Sequence, residues 1–110
     1  MQSEFELADR THITFHHMKP TGAIYDYILE KLDRHIIHKD LVTDVRILLK
    51  QTVAHKGTKQ DFELDINVSV PKAVVRVEEK GEDVYAMIDR ATETLQRRCK
   101  KYYEKHYSVV

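Results

Sequence analysis

Residues 62–70, Phe62-Glu-Leu-Asp-Ile-Asn-Val-Ser-Val70, alternate without interruption. Phe62, Leu64, Ile66, Val68 and Val70 fall on one side of an extended chain, with Glu63, Asp65, Asn67 and Ser69 on the other. A strand with one apolar and one wet face belongs to an antiparallel sheet covered on a single side. Pro71-Lys72 then turns the chain, and Ala73, Val75 and Val77 resume the alternation against Val74, Arg76 and Glu78. Upstream, Val45, Ile47 and Leu49 alternate with Asp44, Arg46 and Lys50, with Leu48 breaking the polar side. His55-Lys56-Gly57-Thr58-Lys59 fills the intervening turn, where Gly57 is free to take positive φ. Three strands joined by short turns make a meander.

Working outward, His12-Ile-Thr-Phe-His16 reads as an earlier strand, with Ile13 and Phe15 sharing a face. Residues 1–11 before it read as a flexible leader, in which Phe5 and Leu7 allow at most a short edge strand. Lys19-Pro20-Thr21-Gly22 breaks the chain, and the Thr21 hydroxyl suits a helix N-cap. The helix expected over residues 22–38 carries its apolar stripe on Ile24, Ile28, Leu32 and Ile36, with Tyr27 beside it. Lys31, Arg34, His35 and His38 share a second face, and Asp26, Glu30 and Asp33 lie elsewhere. After Gly81 a long helix begins near Glu82, its acidic first residues suiting the positive end of the helix dipole. The fold class is therefore α+β, ordered βαβββα. A parallel strand–helix–strand crossover leads into the meander, giving a four-stranded mixed sheet with two helices packed on one face. Residues 12–107 form the single domain.

The chain has 110 residues, with 18 Lys and Arg against 18 Asp and Glu. That bounds it to one domain with a modest core. No apolar run approaches the roughly 20 residues of a membrane span, and the first nine residues lack the basic start of an export signal. Cys99 is the one cysteine, so no internal disulfide forms, which fits a reducing cytoplasm. Neutral overall charge conceals a local excess. Arg90, Arg97, Arg98, Lys100, Lys101 and Lys105 face only Glu93 and Glu104 between Arg90 and His106, a local net of +4.

On a helical projection Val84, Ile88, Ala91, Leu95, Cys99 and Tyr102 occupy one sector. Arg90, Arg97, Lys101 and Lys105 occupy another, with Arg98 between the two and Lys100 outside both. The basic side chains form a ridge about 20 Å long at 1.5 Å per residue, a spacing able to follow the phosphates of a nucleic acid. Lys31 and Arg34 of the first helix extend that surface if the helices lie side by side. On charge alone a solvated helix face and a polyanion site both remain open. So does a protein-interaction module, in which the basic helix regulates an acidic protein partner.

Seven histidines include the His16–His17 pair and His35/His38, but no cysteine or carboxylate completes a metal-ligand spacing. Cys99 falls on the core face and reads as a packed thiol. Tyr102 packs, whereas Tyr103 and Tyr107 mark a fraying end. No phosphate-cradling glycine loop, nucleophile elbow or metalloprotease motif is present. The expectation is a binding protein without catalytic residues, metal, cofactor, membrane contact or small-molecule substrate.

The segment Asp83-Val-Tyr-Ala-Met-Ile-Asp89, followed by Leu95, Arg97, Lys101 and Lys105, resembles the signature helix of the ribosome hibernation-promoting factor and ribosome-associated inhibitor family. The resemblance runs from about residue 12 to residue 106. Ile13-Thr14 opens its first strand, Thr21 caps its helix, Lys31 and Arg34 match its basic positions, and Glu79-Lys-Gly-Glu-Asp83 fills its last turn. Thr94 stands where a family lysine is common, and Phe15 replaces a usual glycine. The resemblance implies a fold like a double-stranded-RNA-binding domain and a short hibernation-promoting type. It implies that Lys31, Arg34, Arg90, Arg97, Arg98, Lys100, Lys101 and Lys105 bind ribosomal RNA. The site implied is the decoding cleft of the small ribosomal subunit, where the protein competes with messenger and transfer RNA and keeps ribosomes inactive.

Overall fold

The computed structural model describes residues 7–53 and 60–106. Leu7–Arg10 form a 3-10 turn, followed by β1 (Thr11–His16), α1 (Gly22–His35), a second 3-10 turn (Lys39–Leu41), β2 (Asp44–Val53), β3 (Gln60–Val70), β4 (Ala73–Gly81) and α2 (Val84–His106). The sheet order is β1-β2-β3-β4, with β1 parallel to β2 and the other pairs antiparallel. The expected βαβββα order and mixed sheet are both present.

Alternation sets the faces. Val45, Ile47, Leu49, Leu64, Ile66, Val68, Val70, Val75 and Val77 are buried beneath the helices. Ile13, Phe15 and Phe62 complete that layer as partly buried members. The opposite face is polar and open, with an ion-paired cluster in which Arg76 forks onto Asp65 at 3.2 and 2.9 Å and reaches Glu78 at 2.8 Å. Those hydrogen bonds raise the already high Arg76 pKa, so the guanidinium stays charged. Leu48 and Val74 are the exposed apolar exceptions on this face.

Both helices run back across the sheet after parallel strands, and so lie parallel to one another. Thr21 caps α1, its Oγ1 accepting from Ile24 N at 3.1 Å. The helix ends at His35, three residues short of expectation: Ile36 turns extended, and its N–H closes onto the Leu32 carbonyl. Ile36 remains in the core although it has left the helix. His38 takes a left-handed conformation with φ 52° and so leaves the face it was expected to share with Lys31 and Arg34.

At the start of α2 the acidic residues stand outside the helix. Asp83 caps it, with Oδ1 accepting from Ala86 N at 3.2 Å and its carbonyl from Met87 N at 3.0 Å. The leader also differs locally from expectation. Leu7 is buried in a 3-10 turn, not an edge strand, and Thr11 Oγ1 donates to its carbonyl at 2.7 Å. The expected turn at His55–Lys59, including Gly57, lies outside the described residues.

Candidate nucleic-acid interface

The buried residues of α2 are Val84, Met87, Ile88, Ala91, Thr92, Leu95, Cys99 and Tyr103. Leu95, Cys99 and Tyr103 are spaced four residues apart, and each such step turns about 40° at 100° per residue. The buried stripe therefore drifts around the helix as it follows a twisted sheet. That drift brings Tyr103 into the core at 1% exposure and leaves Tyr102 only half-buried, reversing the expected roles. Cys99 is fully buried, as expected, and burial pushes its thiol pKa up to about 11.

The same drift organises the cations. Arg97, Lys101 and Lys105 each follow a core residue (Leu95, Cys99, Tyr103) by two positions, about 160° around the helix axis. They thus point away from the core at every turn. All three are exposed and, with Lys100, make no ion pair among the described residues. Arg97 reaches the Thr94 hydroxyl at 3.4 Å, so Thr94 partners the ridge where a lysine would have extended it. Arg97, Arg98, Lys100, Lys101, Thr94 and Glu104 line one shallow groove along this face.

Four other expected residues are engaged within the fold. Arg90 pairs with Glu79 of β4 at 3.2 Å. Gly81 sits beside it, and a Cβ there would come within 3.4 Å of the Arg90 guanidinium and 3.3 Å of Met87. Arg98 donates to the Arg76 carbonyl, covering a backbone acceptor on the outer edge of β4. Arg34 is exposed and pairs with Glu30 one turn earlier at 3.2 Å. Lys31, only 17% exposed in its side chain, lies 3.1 Å from Asp89 of α2.

Asp89 is the centre of the seam between the helices. It also accepts from the Tyr27 phenol at 2.6 Å, and about two helix turns onward His35 Nδ1 lies 2.7 Å from Gln96 Oε1. The Tyr27 hydrogen bond, with help from Lys31, holds the Asp89 carboxyl below its ordinary pKa, despite the opposing effect of burial. The reciprocal hydrogen bond pushes the Tyr27 phenol up to about 12. Sequence reasoning had not singled out Tyr27, Asp89 and Gln96 for this seam. The signal available was that Asp89 belongs to the motif opening α2 while lying off its apolar stripe.

The uncompensated charge is thus a run of about two turns, Arg97 to Lys105, near 12 Å long. It occupies the C-terminal half of α2, where the helix dipole also favours cations. The model of the family described as "Sigma 54 modulation protein / S30EA ribosomal protein" matches residues 11–107. The chain belongs to that family.

Relatives of this S30EA-type chain include a ribosome hibernation promoting factor of Pseudomonas putida, 31% identical over 101 residues, 92% of this chain and 93% of the relative. One from Azotobacter vinelandii is 34% identical over 96 residues, 87% of this chain and 84% of the relative. In fold it is similar to a ribosomal subunit interface protein from Coxiella burnetii (TM-score 0.72, 18% identity, 84% and 94% of the two chains). It is also similar to the N-terminal domain of Thermus thermophilus Protein Y (TM-score 0.60, 29% identity, 84% and 98%). Across the described residues of this S30EA-family chain no group of three His, Cys, Asp or Glu side chains converges to hold a metal, and no helix is long and apolar enough to cross a membrane.

Proposed function

We propose that this protein is a ribosome hibernation factor that binds the small ribosomal subunit through the Arg97–Lys105 face of α2. Membership in the S30EA family and relatives named as hibernation promoting factors support the hibernation role. The observation that carries the surface assignment is the i, i+4, i+8 row Arg97, Lys101, Lys105, exposed and without ion pairs among the described residues, on the side of α2 turned from the core. A single row of cations at one-turn spacing meets successive phosphates of folded RNA and reads shape, not sequence.

In this proposal the protein occupies the decoding cleft, excludes messenger and transfer RNA and leaves the ribosome idle in the cytoplasm. It does so as a binding protein without catalysis or cofactor. Lys100 and Arg98 flank the contact; Arg90, Arg34 and Lys31 contribute less because carboxylates of the same chain already neutralise them.

Co-sedimentation with purified small subunits tests this reading. Wild-type protein should pellet with subunits at low salt and dissociate as salt rises, log K falling linearly with log salt. Arg97→Glu combined with Lys101→Glu should abolish pelleting while the thermal unfolding curve stays near wild type, since both side chains are solvent-facing. Undiminished pelleting of that double variant would show that the ridge is not the contact.

A further inference from the structure

Where α2 passes the β3–β4 turn, Pro71, Lys72, Ala73, Tyr102 and His106 line a hollow of about 430 Å³. Its size falls within the roughly 300–1,000 Å³ of small-ligand sites. Its wall is aromatic and already ordered. The His106 ring lies 4.3 Å from that of Tyr102 at an interplanar angle of 32°. Tyr102 is anchored to the hairpin, its hydroxyl donating to the Pro71 carbonyl at 3.4 Å, and Tyr103 braces it edge-on at 6.1 Å. Tyr102 is half-buried and His106 exposed, so the stack presents ring surface to solvent.

Charge surrounds this surface. Lys72 stands on the hairpin side, and Lys101 and Lys105 of the ridge are the sequence neighbours of Tyr102 and His106 on α2. Lys101 and Tyr102, like Lys105 and His106, are adjacent on α2, offset by about 1.5 Å along the axis and about 100° around it, so one nucleotide can set its phosphate on the ridge and its base in the hollow. We infer that the Tyr102–His106 stack is a binding site for one unpaired RNA base whose flanking phosphates lie on Lys101, Lys105 and Lys72. The inference extends the RNA-binding reading above by adding a stacking contact to an electrostatic one. A base held in a duplex has no free face to offer, so the site selects single-stranded nucleotides.

The test uses the full chain and an eight-nucleotide oligoadenylate, with an RNA duplex of matched charge as comparison. Ring-proton resonances of Tyr102 and His106 should shift on adding the oligonucleotide and stay in place on adding the duplex. His106→Ala and Tyr102→Leu should each weaken oligoadenylate binding about tenfold, with the slope of log K against log salt unchanged. Tyr102→Phe keeps the ring and should bind within about twofold of wild type. Circular dichroism verifies that each variant is folded, and His106, being exposed, carries the conclusion if Tyr102→Leu unfolds. Oligoadenylate that leaves both rings unshifted, or a His106→Ala variant binding as wild type does, overturns the site. Loss of affinity accompanied by a shallower salt slope overturns it too, since the contact would then be ionic. Small-subunit binding is scored separately: a wild-type protein that binds oligoadenylate but not subunits refutes the ribosomal reading and leaves this site standing.

Discussion

The Tyr27 phenol on α1 donates to the Asp89 carboxylate on α2 at 2.6 Å, across 62 residues of sequence. With Lys31 at 3.1 Å on the same carboxylate, it makes Asp89 the charged pin of two parallel helices that meet again through His35 and Gln96 further along. Asp89→Asn keeps the shape and removes the charge. It should cost about 1 kcal/mol, below the roughly 1.5–3 kcal/mol of hydrogen bonds to charged groups because Asp89 is partly solvated. The pH dependence follows from the lowered carboxyl pKa. The folded state holds the Asp89 proton less tightly than the unfolded chain, so this contribution is complete above the ordinary value of 3.8 and is lost as pH falls below it. Urea unfolding at pH 7 and pH 3 should show the gap between wild type and Asp89→Asn closing at the lower pH. Tyr27 acts in the opposite direction: its contribution is intact below 10 and is lost as pH climbs from 10 through about 12.

The seam separates two kinds of lysine. Lys101 is exposed and without an ion pair among the described residues, whereas Lys31 is mostly buried against Asp89. Lys101→Gln should lower small-subunit affinity and reduce the slope of log K against log salt by about 1, with stability unchanged. Lys31→Gln should leave the slope near wild type and lower the melting temperature, because Asp89 loses its cation. Salt titrations paired with thermal melts check both. A slope that fell equally for the two variants would put Lys31 in the contact.

Local patterning carried most of the fold and part of the site. Residues 62–70 place a strand because their period of two extends through five apolar positions, and the register of β3 against β2 and β4 follows it. The cations of α2 are legible for the same reason, since an i+4 row stays a row whatever the helix packs on. Pairings between distant segments are not written in any period. Nothing near Lys31 announces Asp89, nothing near Arg90 announces Glu79, and Arg98 meets a backbone carbonyl that carries no sequence identity. Tyr102 and Tyr103 exchanged roles because a fixed 100° projection assumes a straight stripe, whereas the buried stripe of α2 drifts through Leu95, Cys99 and Tyr103. The end of α1 was misplaced because Ile36 continues the apolar pattern after the backbone has turned extended.

Cys99 reports directly on that drift. It sits at zero exposure between Leu95 and Tyr103, and its thiol pKa is pushed up to about 11. A disulfide reagent at pH 8 should leave the native protein unmodified and titrate one thiol once urea unfolds it. Leu95→Ala, one turn earlier and equally buried, should cost about 2–5 kcal/mol, a large share of the roughly 5–15 kcal/mol that holds a typical domain. That variant should expose Cys99 to the reagent at far lower urea.

Lys72 sets stability against the proposed base site. It occupies the two-residue β3–β4 turn with φ 73°, a left-handed conformation that brings the Cβ of an L-residue close to its carbonyl oxygen. Glycine relieves that contact, and Asn, whose side chain tolerates the region, relieves part of it. Lys72→Gly should therefore stabilise the protein by up to about 1 kcal/mol in urea, less the entropy that glycine gains in the unfolded chain. The same substitution removes the cation on the hairpin side of the Tyr102–His106 hollow. Oligoadenylate affinity should fall several-fold, with a shallower salt slope, in the more stable variant. Lys72→Asn should show the same affinity loss with a smaller gain in stability, which separates the charge from the backbone. A Lys72→Gly protein that is more stable and binds oligoadenylate as tightly as wild type would assign Lys72 to the turn alone.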